Sequence, residues 1–146
     1  MIVRTASRFD IPAILSGIED FVTSTSYRSE PLNVAHVEAT LGNLLDLQDG
    51  LVAVLENDAG HFCGAFVGLA HAHLFSGRRM LGELFLYTTR QARGHGAKLR
   101  RFAEDWARDN GCVTFTASYP DSEKHLDKVY RRWGFVPNEI HYRKEL

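Results

Sequence analysis

Hydrophobic residues recur along the chain with two spacings, one typical of helices and one typical of strands. Residues 11–22 carry large apolar side chains at intervals of three and four, which predicts a helix that begins near Asp10. The same spacing from Val34 to Leu45 predicts a second helix, with Asn33 as its N-cap. The short apolar segment from Ile2 to Thr5 precedes both helices and predicts an edge strand.

Three apolar segments separated by turn residues follow these helices. They are Leu51 to Glu56, His61 to Phe75 and Leu81 to Tyr87, and each is rich in branched or aromatic side chains. Asn57 to Gly60 has the composition of a hairpin turn, and so does the polar segment after Phe75. The pattern therefore predicts an antiparallel run of three strands.

The third of these strands leads into a glycine-containing turn and a helix. Gly94 and Gly96 open the helix, and its apolar face consists of Leu99, Phe102, Ala103 and Trp106. Backbone N–H groups point outward at a helix start and the helix dipole adds about half a positive charge, so such a turn favours an anion. Residues 91–96 lack the third glycine of a dinucleotide-binding turn and are not followed by Gly-Lys-Ser/Thr. Taken alone, they fit a flexible turn before a helix equally well.

The last part of the chain predicts a strand from Val113 to Tyr119, a helix over residues 120–133 and a final strand from Phe135 to Leu146 that Pro137 interrupts. The resulting order is β-α-α-β-β-β-α-β-α-β. It predicts an α/β fold (an α+β mixed sheet), with a central mixed, largely antiparallel sheet flanked by helices on both faces. We expect a single domain over residues 1–146.

Composition argues against several kinds of partner. The chain has 146 residues, 45% of them hydrophobic, and a formal net charge of −1. We therefore expect no nucleic-acid partner and no membrane partner, and a cytoplasmic location because no signal-like segment opens the chain. Cys63 and Cys112 have no metal-ligand spacing. His71 and His73 would share one face of a strand, but a third ligand with suitable spacing is absent, so we expect no metal.

Two motifs give the chain a family resemblance. Gln91-Ala92-Arg93-Gly94-His95-Gly96 resembles the Gln/Arg-x-x-Gly-x-Gly/Ala signature of the GNAT N-acetyltransferase superfamily, and Tyr130-Arg131-Arg132-Trp133-Gly134-Phe135 resembles its Tyr-x-x-x-Gly-Phe ending. The resemblance implies a GNAT-like fold and acetyl-coenzyme A as co-substrate, with its pyrophosphate on the turn and on Ala97. It also implies that the backbone of Leu86 and Tyr87 binds the pantetheine arm, and that a homodimer is possible.

Tyr130 is the catalytic residue that the resemblance implies. In the family this tyrosine lies beside the thioester sulfur, and a phenol is a suitable proton donor to the thiolate that acetyl transfer expels. A core tyrosine is the alternative, because Leu126, Val129 and Trp133 share its apolar helix face. No Ser-His-Asp or Cys-His pattern is evident, which favours direct attack of an amine over an acyl-enzyme.

Glu83 is the one carboxylate in an otherwise apolar strand. A carboxylate there can bind a cationic amine or accept its proton, whereas a salt bridge to Arg78, Arg79 or His73 explains it equally well. Tyr27, His73 and Glu83 are our candidates for contacts with the acceptor, which the resemblance implies is a small-molecule or protein amine.

Two features leave other functions open. Many family members carry asparagine where this chain has Glu123, which leaves room for a catalytically silent coenzyme A-binding or protein-interaction module on the same fold. An acyltransferase that uses a larger acyl group or an oxygen acceptor is a weaker alternative. The basic residues near the turn are Arg90, Arg93, Lys98, Arg100 and Arg101. One or two of them are candidates for the 3′-phosphate, although a solvated helix face explains each one separately.

Overall fold

The computed structural model describes residues 1–146 and contains a mixed sheet of five strands with four α-helices. The strands are β1 (Ile2–Thr5), β2 (Gly50–Glu56), β3 (Phe62–Ala72), β4 (Arg79–Thr88) and β5 (Thr114–Thr116). The helices are α1 (Ile11–Ser24), α2 (Val34–Asp46), α3 (Gly96–Asp109) and α4 (Asp127–Arg132). Strands β1 to β4 are antiparallel neighbours in chain order, and β5 lies parallel to β4. The predicted fold class is confirmed.

The two faces of the sheet bury two separate hydrophobic clusters. Alternate residues of β2 point to opposite faces, so that Leu51, Ala53 and Leu55 pack with α3 while Val52 and Val54 pack with α1 and α2. Strands covered on both faces read as continuous apolar runs, which is the reason why β2 and β3 lack polar alternation.

Strand β4 leaves its neighbour β5 halfway along its length. Only Met80 to Gly82 pair with β5. Directly afterwards the register against β3 shifts, because Val67 pairs with Phe85 while Gly68 pairs with Glu83. The extra residue is Leu84, a β-bulge that redirects the strand. From this point to Thr88, one edge of β4 has no strand partner, and the sheet opens as a wedge.

At the C-terminal end, one sequence prediction is wrong and two hold only in part. Residues 135–146 form neither helix nor strand, since Pro137 has no N–H to donate and β5 offers only three residues to pair with. The predicted strand from Val113 to Tyr119 shrinks to β5, because β4 diverges after Gly82. The predicted helix over 120–133 begins as a 3₁₀ segment, Asp121–Leu126, and only then continues as α4. No helix is long and apolar enough to cross a membrane.

Candidate active site

A cleft of about 1050 Å³ follows the open edge of β4. Its walls come from α1 and α2 on one side, α4 and the segment before it on the other, and the glycine turn at one end. Glu83 to Thr88, the part of β4 beyond its pairing with β5, also line the cleft. Glu83, Tyr130 and Tyr27 all line it, so the fold brings together three side chains that are far apart in sequence.

Tyr130 combines core packing with a hydroxyl that reaches the cleft. Its ring is buried and packs against Trp133 and Phe135, with centroids 5.4 and 5.5 Å away. Its Oη donates a hydrogen bond to the carbonyl of Ser118 at 3.0 Å and lies 3.4 Å from Oε2 of Glu83. Burial, together with the nearby carboxylate, raises the pKa of Tyr130 well above its ordinary value. The core and functional interpretations of this tyrosine are therefore compatible.

Glu83 is a partly buried carboxylate without a cationic partner. No arginine, lysine or histidine nitrogen lies within 4.0 Å of it, and Arg79 instead pairs with Asp49 at 2.5 Å. The predicted alternative of a structural salt bridge is therefore wrong. Burial raises the pKa of Glu83 to about 8, although the Ser118 backbone and the Tyr130 hydroxyl favour its charged form and oppose part of the rise. A carboxylate with this pKa can exchange protons near neutral pH.

The glycine turn, which lies at one end of the cleft, contains unpaired backbone N–H groups. The N–H groups of Gly94, Gly96 and Ala97 have no backbone acceptor, and no side chain caps α3. Gly94 has φ +89°, a conformation that favours glycine, and the space where a side chain would start is open. Arg90 and Arg93 line the cleft beside these groups. The turn has the geometry and charge of an anion site.

The other predicted turn residues lie outside the lining of the cleft. Ala92 is fully buried in the cluster under α3 and anchors the turn to the sheet. Gln91, His95 and Ala97 do not line the cleft. Their contacts with a cofactor remain predictions.

Most of the basic residues near the turn are engaged elsewhere. Lys98 donates to the carbonyl of Met1 at 2.7 Å, and Arg100 pairs with Glu104 at 2.6 Å while lying over the ring of Trp133. Arg101 bonds the backbone of its own helix. Of the five basic residues near the turn, only Arg90 and Arg93 face the cleft.

Not every predicted acceptor contact lies in the cleft. Tyr27 lines it and is 46% exposed. His73 does not, because β3 ends at Ala72 and the β3–β4 connection carries His73 past the end of the sheet. There its Nδ1 accepts a hydrogen bond from the N–H of Phe75 at 3.3 Å. The structure thus removes the basis for an acceptor contact at His73.

The cleft also contains polar side chains outside the motifs, and no sequence pattern marks Asp20 among them. The carboxylate of Asp20 in α1 accepts a hydrogen bond from Oη of Tyr87 at 2.6 Å. Burial is the larger cause and this hydrogen bond the smaller one of a rise in the pKa of Tyr87 to about 12. Glu123 also lines the cleft and lies 3.5 Å from Nδ1 of His125. Of these residues, only Asp20 is assigned to the cleft by tertiary contact alone.

Several solved structures share the fold of this chain. A transcriptional regulator from Bacillus halodurans C-125 shares the fold with a TM-score of 0.82 and 19% identity over 99% of each chain. Glucosamine-6-phosphate N-acetyltransferase from Arabidopsis thaliana has a TM-score of 0.78 and 12% identity over 99% of this chain and 97% of that chain. An aminoglycoside antibiotic 6′-N-acetyltransferase from Acinetobacter haemolyticus has a TM-score of 0.77 and 17% identity over 100% of this chain and 99% of that chain. At such identities these likenesses show the fold alone.

No curated protein matches the sequence. The sequence model of the acetyltransferase (GNAT) family, however, matches residues 17–135. That range includes every wall of the cleft, from Asp20 in α1 to Trp133 after α4. The chain belongs to the GNAT acetyltransferase family.

Proposed function

We propose that the protein is an N-acetyltransferase that moves an acetyl group from acetyl-coenzyme A to an amine by direct attack. The observation that carries this proposal is the 3.4 Å separation of Tyr130 Oη and Glu83 Oε2 at the point where β4 leaves β5. A carboxylate and a phenol in contact provide a proton acceptor and a proton donor at one place.

The residues around the cleft fit the chemistry of coenzyme A. Unpaired N–H groups at Gly94, Gly96 and Ala97, with Arg90 and Arg93 beside them, suit a pyrophosphate. The open edge of β4 from Phe85 to Thr88 offers backbone groups that suit the amide-bearing pantetheine arm, which includes the predicted contacts at Leu86 and Tyr87. An arm bound along this edge would run from the turn toward Glu83.

Glu83 is the proposed base. An amine in water is mostly protonated, and its nitrogen has no free electron pair until one proton leaves. With a pKa of about 8, ionised Glu83 can accept that proton. The nitrogen then forms a bond to the thioester carbon while the bond from carbon to sulfur breaks. Of the two protons that the ammonium group loses overall, one ends on the thiol and the other leaves to solvent.

Tyr130 is the proposed donor to the sulfur, and Glu83 restores its proton. A thiol has an ordinary pKa of about 8.5, so a thiolate alone is a poor base toward a buried phenol of raised pKa. Protonated Glu83 has a matching pKa and lies within reach of Oη. We therefore propose that the proton taken by Glu83 passes through Tyr130 to the thiolate.

The test is release of free coenzyme A thiol from acetyl-coenzyme A in the presence of an amine panel, with the acetylated products identified by mass spectrometry. Turnover that depends on an amine and gives the N-acetyl product supports the proposal. Binding of coenzyme A without turnover of any amine would contradict it.

That second outcome would favour the silent binding module. One observation makes this candidate specific: Glu123 lines the cleft at the position where many family members have asparagine, and a carboxylate cannot donate the hydrogen bonds of an amide. The cytoplasmic location, the homodimer and the single-domain organisation remain predictions.

A further inference from the structure

Four aromatic rings cover one wall of the cleft, on the side of α1. Phe21 and Tyr27 come from α1 and the 3₁₀ segment Ser26–Ser29, and their centroids are 5.8 Å apart. Phe85 and Tyr87 come from β4, with stacked rings at 6.0 Å, and Phe21 meets Phe85 edge-on at 5.3 Å. All four remain partly exposed and line the cleft. We call these four residues the aromatic wall.

A carboxylate borders the aromatic wall. Asp20 is exposed and lines the cleft, and its Oδ2 accepts the hydrogen bond from Oη of Tyr87. No cationic group lies within 4.0 Å of it, and its second oxygen has no hydrogen-bond donor within the protein. Gly17 makes this arrangement possible, because a Cβ there would come within 3.1 Å of the Tyr87 ring. The Tyr87 ring therefore packs next to Gly17, and its hydroxyl reaches Asp20, three residues further along α1.

Charge is separated along the cleft. The three arginines that line it are Arg90 and Arg93 at the glycine turn and Arg132 in α4, all outside the aromatic wall. Of the three carboxylates that line it, Asp20 lies on α1, Glu83 lies in the middle of β4, and Glu123 lies in the segment before α4, outside the aromatic wall. Aromatic faces next to an unpaired carboxylate attract organic cations, since both ring electrons and charge favour a positive group.

We propose that the aromatic wall and Asp20 form a subsite for a second positive charge on the acceptor. The inference rests on the proposed function and names its substrate class: an elongated aliphatic amine with an ammonium group at each end. Because of the bulge at Leu84, Glu83 and Tyr87 pair with Gly68 and Ala65, which are three steps apart on β3, and a strand rises about 3.3 Å per residue. The two cationic groups would therefore be separated by a distance on the order of 10 Å.

The test uses two amines of equal length, diaminooctane and aminooctane, with the full chain and acetyl-coenzyme A. We expect kcat/KM for the diamine to exceed that for the monoamine by about tenfold or more, mainly through a lower KM. In Asp20→Asn, which keeps an oxygen to accept from Tyr87, this ratio should fall close to one. Tyr27→Leu should lower it as well. Glu19→Gln is the matched control, because Glu19 is an exposed carboxylate of the same helix that does not line the cleft.

Failure of the subsite and failure of the proposed function are distinguishable. Turnover of both amines at equal kcat/KM, or a ratio that Asp20→Asn leaves unchanged, would overturn the subsite and leave the acetyltransferase intact. If neither amine is acetylated, calorimetric titration of diaminooctane into the protein with coenzyme A decides: binding that weakens in Asp20→Asn but not in Glu19→Gln supports the subsite. Absence of binding would overturn it.

Discussion

The two sides of the cleft use different parts of the polypeptide. At the glycine turn and along β4, recognition groups are backbone N–H and C=O groups, exposed by Gly94 and by the separation of β4 from β5. On the α1 side they are side chains, namely the carboxylate of Asp20 and the aromatic wall. A site made of backbone groups requires glycine at a given spacing, and this requirement is visible in the sequence as a motif. A site made of side chains requires only that distant residues meet in space, and this produces no sequence motif. Five predictions on four variants test this difference.

The largest effect should follow Tyr130→Phe, which keeps the packed ring and removes only the hydroxyl. We expect kcat to fall about 10²–10⁴-fold, because the thiolate loses its proton donor. The Kd of coenzyme A should change little, since phosphates and backbone dominate binding in our proposal. Steady-state kinetics and calorimetry measure the two quantities. A variant as active as the parent would show that water or another group protonates the sulfur.

Gly94→Val tests the backbone side of the comparison. We expect coenzyme A to bind about a hundredfold more weakly, because a branched side chain would fill the open space at the turn and strain a residue with φ +89°. Gly77→Val is the matched control: Gly77 also has a positive φ, +67°, and open surroundings, but lies in the β3–β4 connection. Both variants should lose stability, and only the first should lose affinity. Equal affinity in the two would remove the pyrophosphate assignment.

Glu83→Gln tests the base. In the parent, kcat/KM should rise with pH through about 8, because Glu83 must be ionised to accept a proton. The variant should lose this rise and be about tenfold to a hundredfold slower at high pH, with the Kd of coenzyme A nearly unchanged. An identical pH profile in both proteins would exclude Glu83 as the base.

Glu83→Gln should be slower than the parent but, near pH 8, more stable than the parent. The pKa of Glu83 is raised from 4.5 when unfolded to about 8 when folded, so the folded state binds more protons between these values. The free energy of unfolding of the parent should therefore fall as pH rises from 4.5 to 8, by an amount on the order of 2–4 kcal/mol. Glu83→Gln should lack this loss and melt above the parent at pH 8. Denaturation at several pH values measures the difference.

The smallest effect should follow Tyr87→Phe, which separates the two sides within one residue. Its backbone belongs to the proposed coenzyme A edge, whereas its hydroxyl bonds Asp20. We expect stability to fall by about 1 kcal/mol from the lost hydrogen bond and the Kd of coenzyme A to stay unchanged. A clear loss of coenzyme A affinity would show that the side chain takes part in cofactor binding.

The fold was largely predictable from the sequence up to the end of α3. Apolar spacing predicts both N-terminal helices and the strands β2, β3 and β4, because each of these elements buries a face whose period is local. The final strand was not predictable in the same way. Residues 135–146 contain apolar side chains, but pairing depends on the neighbouring β5, which is only three residues long.

The chain itself determined the glycine turn, the position of Tyr130 at the end of a helix and the family to which both belong. These features depend on local conformation: a positive φ at Gly94, an open helix start, and an apolar helix face ended by Gly134. Tertiary structure alone decided that Glu83 has no salt bridge and instead meets Tyr130, that His73 lies outside the cleft, and that Asp20 meets Tyr87. The environments of Glu83 and Asp20 depend on the bulge at Leu84 and on how α1 and α4 pack against β4, and the place of His73 depends on where β3 ends. Contacts between distant segments leave no periodic trace in a sequence.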